Sequence, residues 1–291
     1  MQTLWIALSL TSRVGSKTLR ALFDHFGDDP QAILDADPKA LQQIRGIGPK
    51  TAHSIHSVDI IAVEQALDQW ANEGVSVTTF ACPRAVYPSP LLAIDDPPPT
   101  LFMRGLWQPE YANAVAVVGT RSPSPLAEEL ALQIGQKLAQ MSCTVVSGLA
   151  VGVDTLAHQG ALSQPNGRSI AVLGSGVLNI YPEQNKTLAQ QCERRGMILS
   201  EIAPDEPPNA PRLVARNRII SGLSQAVIVV ETSDTGGAMH TARFAQDQGR
   251  PVYVVDFSAS SGNQQLLENG AHPLPTDPSK FADYFTLPIK D

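Results

Sequence analysis

Two arginines flank an asparagine in the last third of the chain, directly before an apolar helical turn. They are Arg216, Asn217 and Arg218, and residues 226–230 behind them have the continuous apolar pattern of a buried strand. Arginine carries a planar fork of N–H donors that matches the oxygens of a phosphate group. A helix start needs one capping side chain rather than two cations. The arginine pair therefore predicts a site for an anionic, phosphate-bearing ligand.

Four turns of small residues follow other strand-like segments of the chain. They are Gly119-Thr120-Arg121, Ser147-Gly148, Gly174-Ser175-Gly176 and Gly236-Gly237. Small residues let backbone N–H groups approach an anion closely, and a helix that begins just after such a turn adds its positive dipole end. Parallel strands end at one edge of a sheet, where α/β proteins bind ligands. We therefore expect these turns to line one site together with the arginine pair.

The arginine pair also needs an acidic partner. Helical spacing cannot place Arg216 and Arg218 on the same face of a helix. We expect one of them to hold the loop through Glu201 or Glu231, each of which ends a strand-like segment. The other, for which we choose Arg216, is expected to meet the phosphate.

Three further side chains have a structural interpretation beside a functional one. Asp154 either fits the dipole of a helix start or orients a neighbouring base or arginine. His158 follows four residues later on the same helical face, where a lone histidine is more often structural. Tyr181, in a turn that includes Asn185, either packs as an ordinary aromatic or stacks on a base.

The same motifs exclude several common kinds of site. No turn has the Gly-x-Gly-x-x-Gly spacing of a dinucleotide site, and none ends in the Gly-Lys-Ser/Thr of a P-loop. Cys82, Cys143 and Cys192 lie far apart and form neither a disulfide framework nor a zinc pattern. We therefore expect neither a metal nor a cofactor.

The composition is that of an ordinary globular protein. Apolar residues make up 43% and charged residues 17% of the 291 residues, and the formal net charge of -7 argues against a surface that is basic throughout. A local basic groove stays compatible with that charge. The N-terminus lacks the basic region of a signal peptide, and no run approaches the ~20 apolar residues of a membrane span. We expect a cytoplasmic protein without a membrane partner.

The pattern of the chain changes along its length and predicts three parts. Residues 1–70 show apolar side chains at helical spacing, which predicts a small all-α domain. Residues 71–112 are rich in proline and are expected to form a connector that packs on the core, with an edge strand at 100–103. In residues 113–291 apolar strands alternate with helices, which predicts an α/β domain with a mostly parallel sheet and helices on both faces.

A tight glycine turn lies inside the helical part. Gly46 and Gly48 form it, and Lys50 follows in the next helix. The turn resembles a helix-hairpin-helix (SAM-like) element, which can present backbone N–H groups and a lysine to one DNA phosphate. A connector closed by glycine explains the turn equally well, since many such hairpins only mediate packing or protein contact.

Taken in order, the motifs resemble the DNA-processing protein A family (DprA, also called Smf). The shared motifs are Val118-Gly119-Thr120-Arg121, Ser147-Gly148-Leu149-Ala150-Val151-Gly152-Val153-Asp154, Ala157-His158, Ala171-Val172-Leu173-Gly174-Ser175-Gly176, Tyr181-Pro182 with Asn185, Leu199-Ser200-Glu201, residues 216–224 and Gly249-Arg250-Pro251-Val252. The resemblance covers nearly the whole chain. Each loop is a weak signal by itself, but the ordered set is specific.

The resemblance implies an extended Rossmann-like domain that binds single-stranded DNA without hydrolysing it, and therefore no enzyme and no catalytic residue. Family members protect incoming single strands, help to load the RecA recombinase onto them during natural transformation, and act as homodimers. Carried over by position, the DNA pocket would be lined by Gly119, Thr120, Arg121, Ser147, Gly148, Gly174, Ser175, Gly176, Arg216, Asn217, Arg218, Gly236 and Gly237, with Asp154, His158, Glu201 and Glu231 behind them.

The chain departs from the family pattern at several positions. Val151 stands where the family usually has Arg or Lys, so one phosphate contact is lost. Thr235-Gly236-Gly237 stands where the family usually has a Ser-Gly-Ser turn. Val255-Asp256-Phe257 stands where the family usually has Val-Pro-Gly, and its aspartate would repel phosphate. Too few residues follow Ala271 for the C-terminal winged-helix domain of many members, so we expect that domain to be absent.

Two other functions remain open at this point. A nucleoside-monophosphate phosphoribohydrolase of the lysine-decarboxylase-like type has a related sheet, but it needs a catalytic Glu where residues 235–243 carry neutral or basic side chains. A sensor for a nucleotide would need the same phosphate clamps as a DNA binder. The motifs do not separate the sensor from the DNA binder.

Overall fold

The computed structural model describes residues 2–82, 86–256 and 260–281, and it begins with a group of short helices. They are α1 (Gln2–Leu10), α2 (Ser16–Phe26), α3 (Pro30–Asp35), α4 (Pro38–Leu41), α5 (Pro49–His56) and α6 (Ile60–Asn72). Asp29 and Asp37 cap α3 and α4 by accepting hydrogen bonds from backbone N–H groups, as their Asp-Pro sequences predict. Trp5, Leu19 and Ile55 lie in the buried core of this helical part.

Nine strands of the described residues form one sheet. They are β1 (Ser76–Thr79), β2 (Thr100–Arg104), β3 (Ala114–Val118), β4 (Thr144–Ser147), β5 (Arg168–Val172), β6 (Gly196–Ser200), β7 (Ala226–Val229), β8 (Val252–Val255) and β9 (His272–Leu274). Their order is β1-β2-β6-β5-β4-β3-β7-β8-β9. From β6 to β9 all neighbours are parallel, whereas β2 pairs antiparallel with β1 and β6.

Helices cover both faces of this sheet. They are α7 (Pro125–Gln140), α8 (Val153–Ser163), α9 (Lys186–Arg194), α10 (Ala210–Ala215), α11 (Asn217–Gly222), α12 (Gly237–Asp247) and α13 (Ser261–Glu268). In β3, Val115 and Val117 pack in the cluster of α7 and α8, whereas Ala116 and Val118 pack in that of α11 and α12. The predicted fold, an α/β mostly parallel sheet covered on both faces and preceded by a small helical part, is confirmed. Across the described residues, no helix is both long and apolar enough to cross a membrane.

The proline-rich connector contributes two strands to the sheet rather than one. β2 forms at the predicted position, but β1 pairs outside it, so β1 is the edge strand and the prediction for residues 100–103 was wrong on this point. β1 is the sequence Ser76-Val77-Thr78-Thr79, and its β-branched residues favour a strand. The signal for this strand was therefore present in the sequence.

The strand order opens a crevice between β3 and β7. The chain leaves β3 towards β4 on one side of this pair and leaves β7 towards β8 on the other side. Loops that diverge in this way from neighbouring strands leave a crevice at the carboxyl edge, where open α/β sheets bind ligands. The fold therefore concentrates the loops after β3 and β7 around one position.

Candidate functional site

A cavity of about 270 Å³ lies in the crevice between β3 and β7. Its polar lining comes from four places. They are the loop after β3 (Thr120, Arg121), the start of α8 (Asp154), the loop after β7 with the start of α12 (Thr232, Ser233, Gly236, Gly237, Thr241), and the segment around the arginine pair (Arg216, Asn217). We call it the rim cavity. Of the four small turns expected at one site, Gly119-Thr120-Arg121 and Gly236-Gly237 line this cavity, whereas the turns at 147–148 and 174–176 do not.

Arg216 is the buried cation of the rim cavity. Its Nη1 donates hydrogen bonds to the carbonyl oxygens of Gly148, at 2.6 Å, and of Val172, and its Nε donates to Oδ1 of Asn217 at 2.9 Å. Its Nη2 has no hydrogen-bond partner among the described residues. Burial lowers the pKa of Arg216, Asp154 raises it, and Arg121 lowers it again. An arginine stays charged under such shifts, so Nη2 is a fixed donor at the cavity wall.

Gly148 provides the space that the Arg216 guanidinium occupies. A Cβ atom at Gly148 would overlap three atoms of that guanidinium. The loop around Gly148 is held by Asp154, whose Oδ2 accepts hydrogen bonds from the N–H groups of Gly148 at 3.1 Å and of Ala150 at 3.4 Å. Burial raises the pKa of Asp154 above its usual range, while Arg216 and these hydrogen bonds lower it. Asp154 therefore supports the loop against which Arg216 lies.

The same loop is held from its other side by Asn185. Leu149, next to Gly148, has a left-handed backbone with φ of 59°, which is uncommon for a residue with a side chain. The buried Asn185 donates from Nδ2 to the carbonyl oxygen of Leu149 and to Oγ1 of Thr155, both at 2.8 Å. These bonds fix a strained turn beside the cavity, as is common at functional sites.

Arg121 is an exposed cation at the mouth of the rim cavity. It makes no hydrogen bond or ion pair within the part of the chain that the structure describes, and it acts electrostatically on Arg216. Its loop is fixed by Glu231, whose carbonyl oxygen accepts from Thr120 N and whose Oε2 accepts from Ser124 N, both at 2.7 Å. Of the two acidic residues expected to hold an arginine, Glu231 instead bonds the backbone of this loop.

The start of α12 closes the third side of the rim cavity. Gly236 is the N-cap residue, and no side chain caps the helix. Gly237 is exposed, and a Cβ atom at this position would meet nothing within 4 Å. The first N–H groups of an uncapped helix are unsatisfied donors that attract anions. Two cations and a helix start therefore converge on one space.

Arg218 has a different task from Arg216. Its Nη1 and Nη2 donate to the two carboxylate oxygens of Glu201, both at 2.6 Å, and its Nε lies 3.3 Å from Oδ2 of Asp96. The expectation that one arginine holds the loop through Glu201 is therefore met by Arg218. Arg218 does not line the rim cavity, where we expected it beside Arg216.

Asp96 is a residue of this network that the sequence motifs did not indicate. Its Oδ1 accepts a hydrogen bond from Ser16 at the start of α2, while its backbone oxygen and its Oδ2 meet Arg218. The only sequence signal was its position in the run Asp95-Asp96-Pro97, which reads as a turn. The contact is made between residues far apart in the chain, so local patterns could not reveal it.

Three predicted pocket residues lie under another segment. Gly174, Ser175 and Gly176 are buried, and they do not line the rim cavity. A Cβ atom at Gly174 would overlap the backbone of Leu213, and one at Gly176 would overlap the carbonyl oxygens of residues 203 and 204. The glycines are therefore needed for close packing of the 203–213 segment rather than for approach of a ligand.

Ser147 and His158 are also structural in this arrangement. The hydroxyl of Ser147 donates to the carbonyl oxygen of Val117 at 2.6 Å and is fully buried. His158 is fully buried with Nδ1 at 2.6 Å from Oγ of Ser169, and burial together with Arg216 lowers the pKa of His158 to about 3. The imidazole is therefore neutral and packed in the core.

The glycine turn of the helical part lies away from the rim cavity. Gly46 has φ of +92°, which favours glycine, and Gly48 is the N-cap residue of α5. Lys50 is exposed in the first turn of that helix. None of these residues lines the rim cavity. The turn is thus a separate surface feature.

Within residues 2–82, 86–256 and 260–281, no group of three His, Cys, Asp or Glu side chains could hold a metal ion.

Asp256 is exposed at the end of β8 and does not line the rim cavity. Phe257, which follows it, lies outside the described residues.

Two family models match the chain. The model described as DNA recombination-mediator protein A matches residues 78–285. The model described as SAM-like helix-hairpin-helix tandem matches residues 7–57. The two matches correspond to the sheet with its connector and to the helices before it.

Two curated relatives match the whole chain and about two thirds of it, respectively. Protein Smf of Synechocystis sp. is 34% identical over 299 residues, which cover 100% of this chain and 74% of the relative. Protein Smf of Escherichia coli is 41% identical over 202 residues, which cover 68% of this chain and 54% of the relative. The matched region thus spans about half the length of the Escherichia coli relative.

Solved structures match the fold closely. DNA processing protein A from Streptococcus pneumoniae superposes with a TM-score of 0.83 at 27% identity, and the match covers 99% of each chain. DNA processing protein A from Helicobacter pylori, described for its unique single-stranded DNA binding mode, gives a TM-score of 0.64 at 29% identity over 72% of this chain and 94% of that one. Because a family model spans most of the sequence and a relative aligns along all of it, this chain belongs to the DNA recombination-mediator protein A family.

Proposed function

We propose that this protein binds single-stranded DNA, and that a backbone phosphate occupies the rim cavity between Arg121 and Arg216. The observation that carries this proposal is the free Nη2 of the buried Arg216, which shares one cavity with Arg121 and with the uncapped start of α12. A phosphodiester has the charge and the oxygen geometry that such donors fit. The single-stranded DNA binding described for the Helicobacter pylori relative supports the same ligand.

The proposal includes that the protein acts by binding rather than by catalysis. Asp154 is the carboxylate that lines the rim cavity in the described residues, and its Oδ2 is occupied by two backbone N–H groups. The first turns of α12 read Gly-Ala-Met-His-Thr-Ala-Arg and offer no carboxylate for a phosphoribohydrolase. Release of free base from AMP would contradict this part of the proposal.

The wider role that we propose is that of a recombination mediator in the cytoplasm. It would protect incoming single strands and load the RecA recombinase onto them during natural transformation, as a homodimer. Membership of the recombination-mediator family supports this role. The measurement is the lag in RecA filament formation on protein-coated single strands, with and without this protein. An unchanged lag would limit its function to DNA binding.

The DNA-binding proposal is tested by a salt titration of single- and double-stranded oligonucleotide binding. We expect the protein to bind single-stranded oligothymidine more tightly than a double-stranded oligonucleotide. Arg121→Ala and Arg216→Ala should each weaken the binding of oligothymidine about tenfold or more, because each removes a charged hydrogen bond. Each should also lower the slope of log K against log salt by about 0.7, the value for one phosphate contact on a single strand.

The matched control for these variants is Arg194→Ala. Arg194 is exposed at the end of α9, at the opposite edge of the sheet, and its replacement removes the same charge. It should leave binding unchanged. Absence of binding at low salt, or equal effects of all three replacements, would contradict the proposal. Tighter binding of mononucleotides than of oligonucleotides would instead favour a nucleotide sensor.

The glycine turn of the helical part is proposed as a second, weaker DNA contact. The open space around Gly46 and Gly48 leaves their backbone accessible, and Lys50 stands next to them. Lys50→Ala should then reduce the affinity for longer strands only. Equal effects on short and long strands would contradict such a contact.

A further inference from the structure

A second cavity lies beside the rim cavity and shares the two arginines with it. Its volume is about 220 Å³, and Arg121, Ala150, Leu213 and Arg216 line both cavities. We call it the side cavity. A ligand with a phosphate in the rim cavity would therefore have its neighbouring group within reach of the side cavity.

The side cavity is walled by an aromatic ring that the core does not use. Tyr181 is 43% exposed, whereas Tyr87, Tyr111 and Tyr253 are 9%, 5% and 8% exposed. The turn that carries Tyr181 is held in place by the buried Asn185, which bonds the Leu149 carbonyl oxygen at 2.8 Å. The ring is thus presented to solvent from a fixed support, as a stacking platform requires.

The other walls of the side cavity are mostly apolar. Val151 and Leu213 contribute aliphatic side chains, and Pro182 adds a further apolar surface. Gln184 is exposed at the wall, and its amide has no hydrogen-bond partner in the described residues. A cavity with aliphatic walls, an aromatic ring and an amide without a partner in the described residues is suited to a heterocyclic base, since every base has a π face and a polar edge.

We propose that the side cavity is a nucleobase subsite, in which one base of the strand stacks on Tyr181 while its edge meets Gln184. The subsite rests on the proposed DNA-binding function, because the arginines that line both cavities would hold the adjoining phosphate. It adds a contact that does not depend on charge. Val151 fits this assignment, because an aliphatic side chain packs against a base, whereas a cation at that position would serve a phosphate.

The test compares two strands of equal charge, oligothymidine and an abasic sugar–phosphate strand of the same length, each bound to the wild type and to Tyr181→Ala. Base–aromatic stacking of the usual strength predicts that Tyr181→Ala weakens oligothymidine binding about tenfold. It should leave the abasic strand and the salt slope unchanged. Tyr181→Phe, which keeps the ring, should bind like the wild type.

Each other outcome overturns the subsite in a recognisable way. Equal weakening of both strands by Tyr181→Ala would mean that the residue acts through the fold or the phosphates. No effect on either strand would mean that the ring does not meet a base. If the wild type binds neither strand, the proposed function itself fails, whereas binding of both strands with equal affinity removes only the base subsite.

Gln184→Ala should change the ratio of affinities for oligothymidine and oligodeoxyadenosine, and an unchanged ratio would remove Gln184 from the proposal.

Discussion

The carbonyl oxygen of Gly148 accepts a 2.6 Å hydrogen bond from Nη1 of Arg216, and the missing side chain of Gly148 leaves the room in which that guanidinium lies. The glycine and the arginine are 68 residues apart. The position of the buried cation is therefore set by a residue of another loop, which has no charge itself.

Gly148→Ala should displace the Arg216 guanidinium and weaken single-stranded DNA binding by about as much as the loss of the arginine, tenfold or more. The physical reason is overlap of the new methyl group with the guanidinium. Fluorescence anisotropy with labelled oligothymidine measures the effect. Gly15→Ala is the control, since a Cβ atom there meets nothing within 4 Å and lies outside the rim cavity. Wild-type affinity of Gly148→Ala would contradict the proposed clamp.

Arg218→Ala should affect stability rather than the rim cavity directly. It removes a bidentate partner from Glu201 and a neighbour from Asp96. Breaking a largely buried ion pair typically costs about 3 kcal/mol, because an unpaired charge stays behind. Urea unfolding measures this loss. Arg212→Ala breaks the more exposed pair with Glu206 and should cost less than about 1 kcal/mol. Equal losses in the two variants would contradict the assigned role of Arg218.

Val151→Lys should tighten binding of single strands at low salt. Val151 lines the side cavity together with Arg121 and Arg216. A lysine at this position therefore brings a third cation close to the phosphate groups of the strand that we propose to bind there. One added phosphate contact should steepen the slope of log K against log salt by about 0.7. The control is Val151→Leu, which changes size without charge and should keep the wild-type slope. A steeper slope in both variants, or in neither, would show that residue 151 does not approach the backbone.

Stability should fall as the pH drops below the usual pKa of histidine, in part because of His158. Burial and Arg216 lower the pKa of His158 to about 3 in the folded protein, so the unfolded chain binds a proton there first. Between pH of about 6.5 and 3, this one group should reduce the free energy of unfolding by about 1.4 kcal/mol per pH unit.

The variant that checks this pH dependence is His158→Gln. It keeps a polar side chain near Ser169 but has no group that titrates in this range. Urea unfolding at pH 7, 6 and 5 should show a shallower decline for the variant than for the wild type. Parallel declines would assign the pH dependence to other groups.

The arginine pair shows how far local sequence could lead. From helical spacing we predicted that Arg216 and Arg218 have different roles. In the structure, Arg218 forms hydrogen bonds with Glu201, and Arg216 lines the rim cavity. Spacing carries this information because residues two apart on a helix point in different directions. The strands and most helices were predictable for the same reason, since their periodicity is local.

The glycine turns show where local sequence was insufficient. Gly148, Gly174 and Gly236 all follow strands, yet only the first and last lie at a cavity. Gly174 is covered by Leu213, which comes 39 residues later in the chain. Whether a small residue makes room for a ligand or for another segment is decided by distant packing, which no short motif records.

Asp96 divides its two carboxylate oxygens between Ser16 in the helical part and Arg218 beside the sheet. A change at any one of the three positions leaves a polar group of the others without its partner. We therefore expect positions 16, 96 and 218 to covary among homologues. A chimaera that takes its helical part from one relative and its sheet from another should be stable when the side chains that it combines at positions 16, 96 and 218 can still pair with one another.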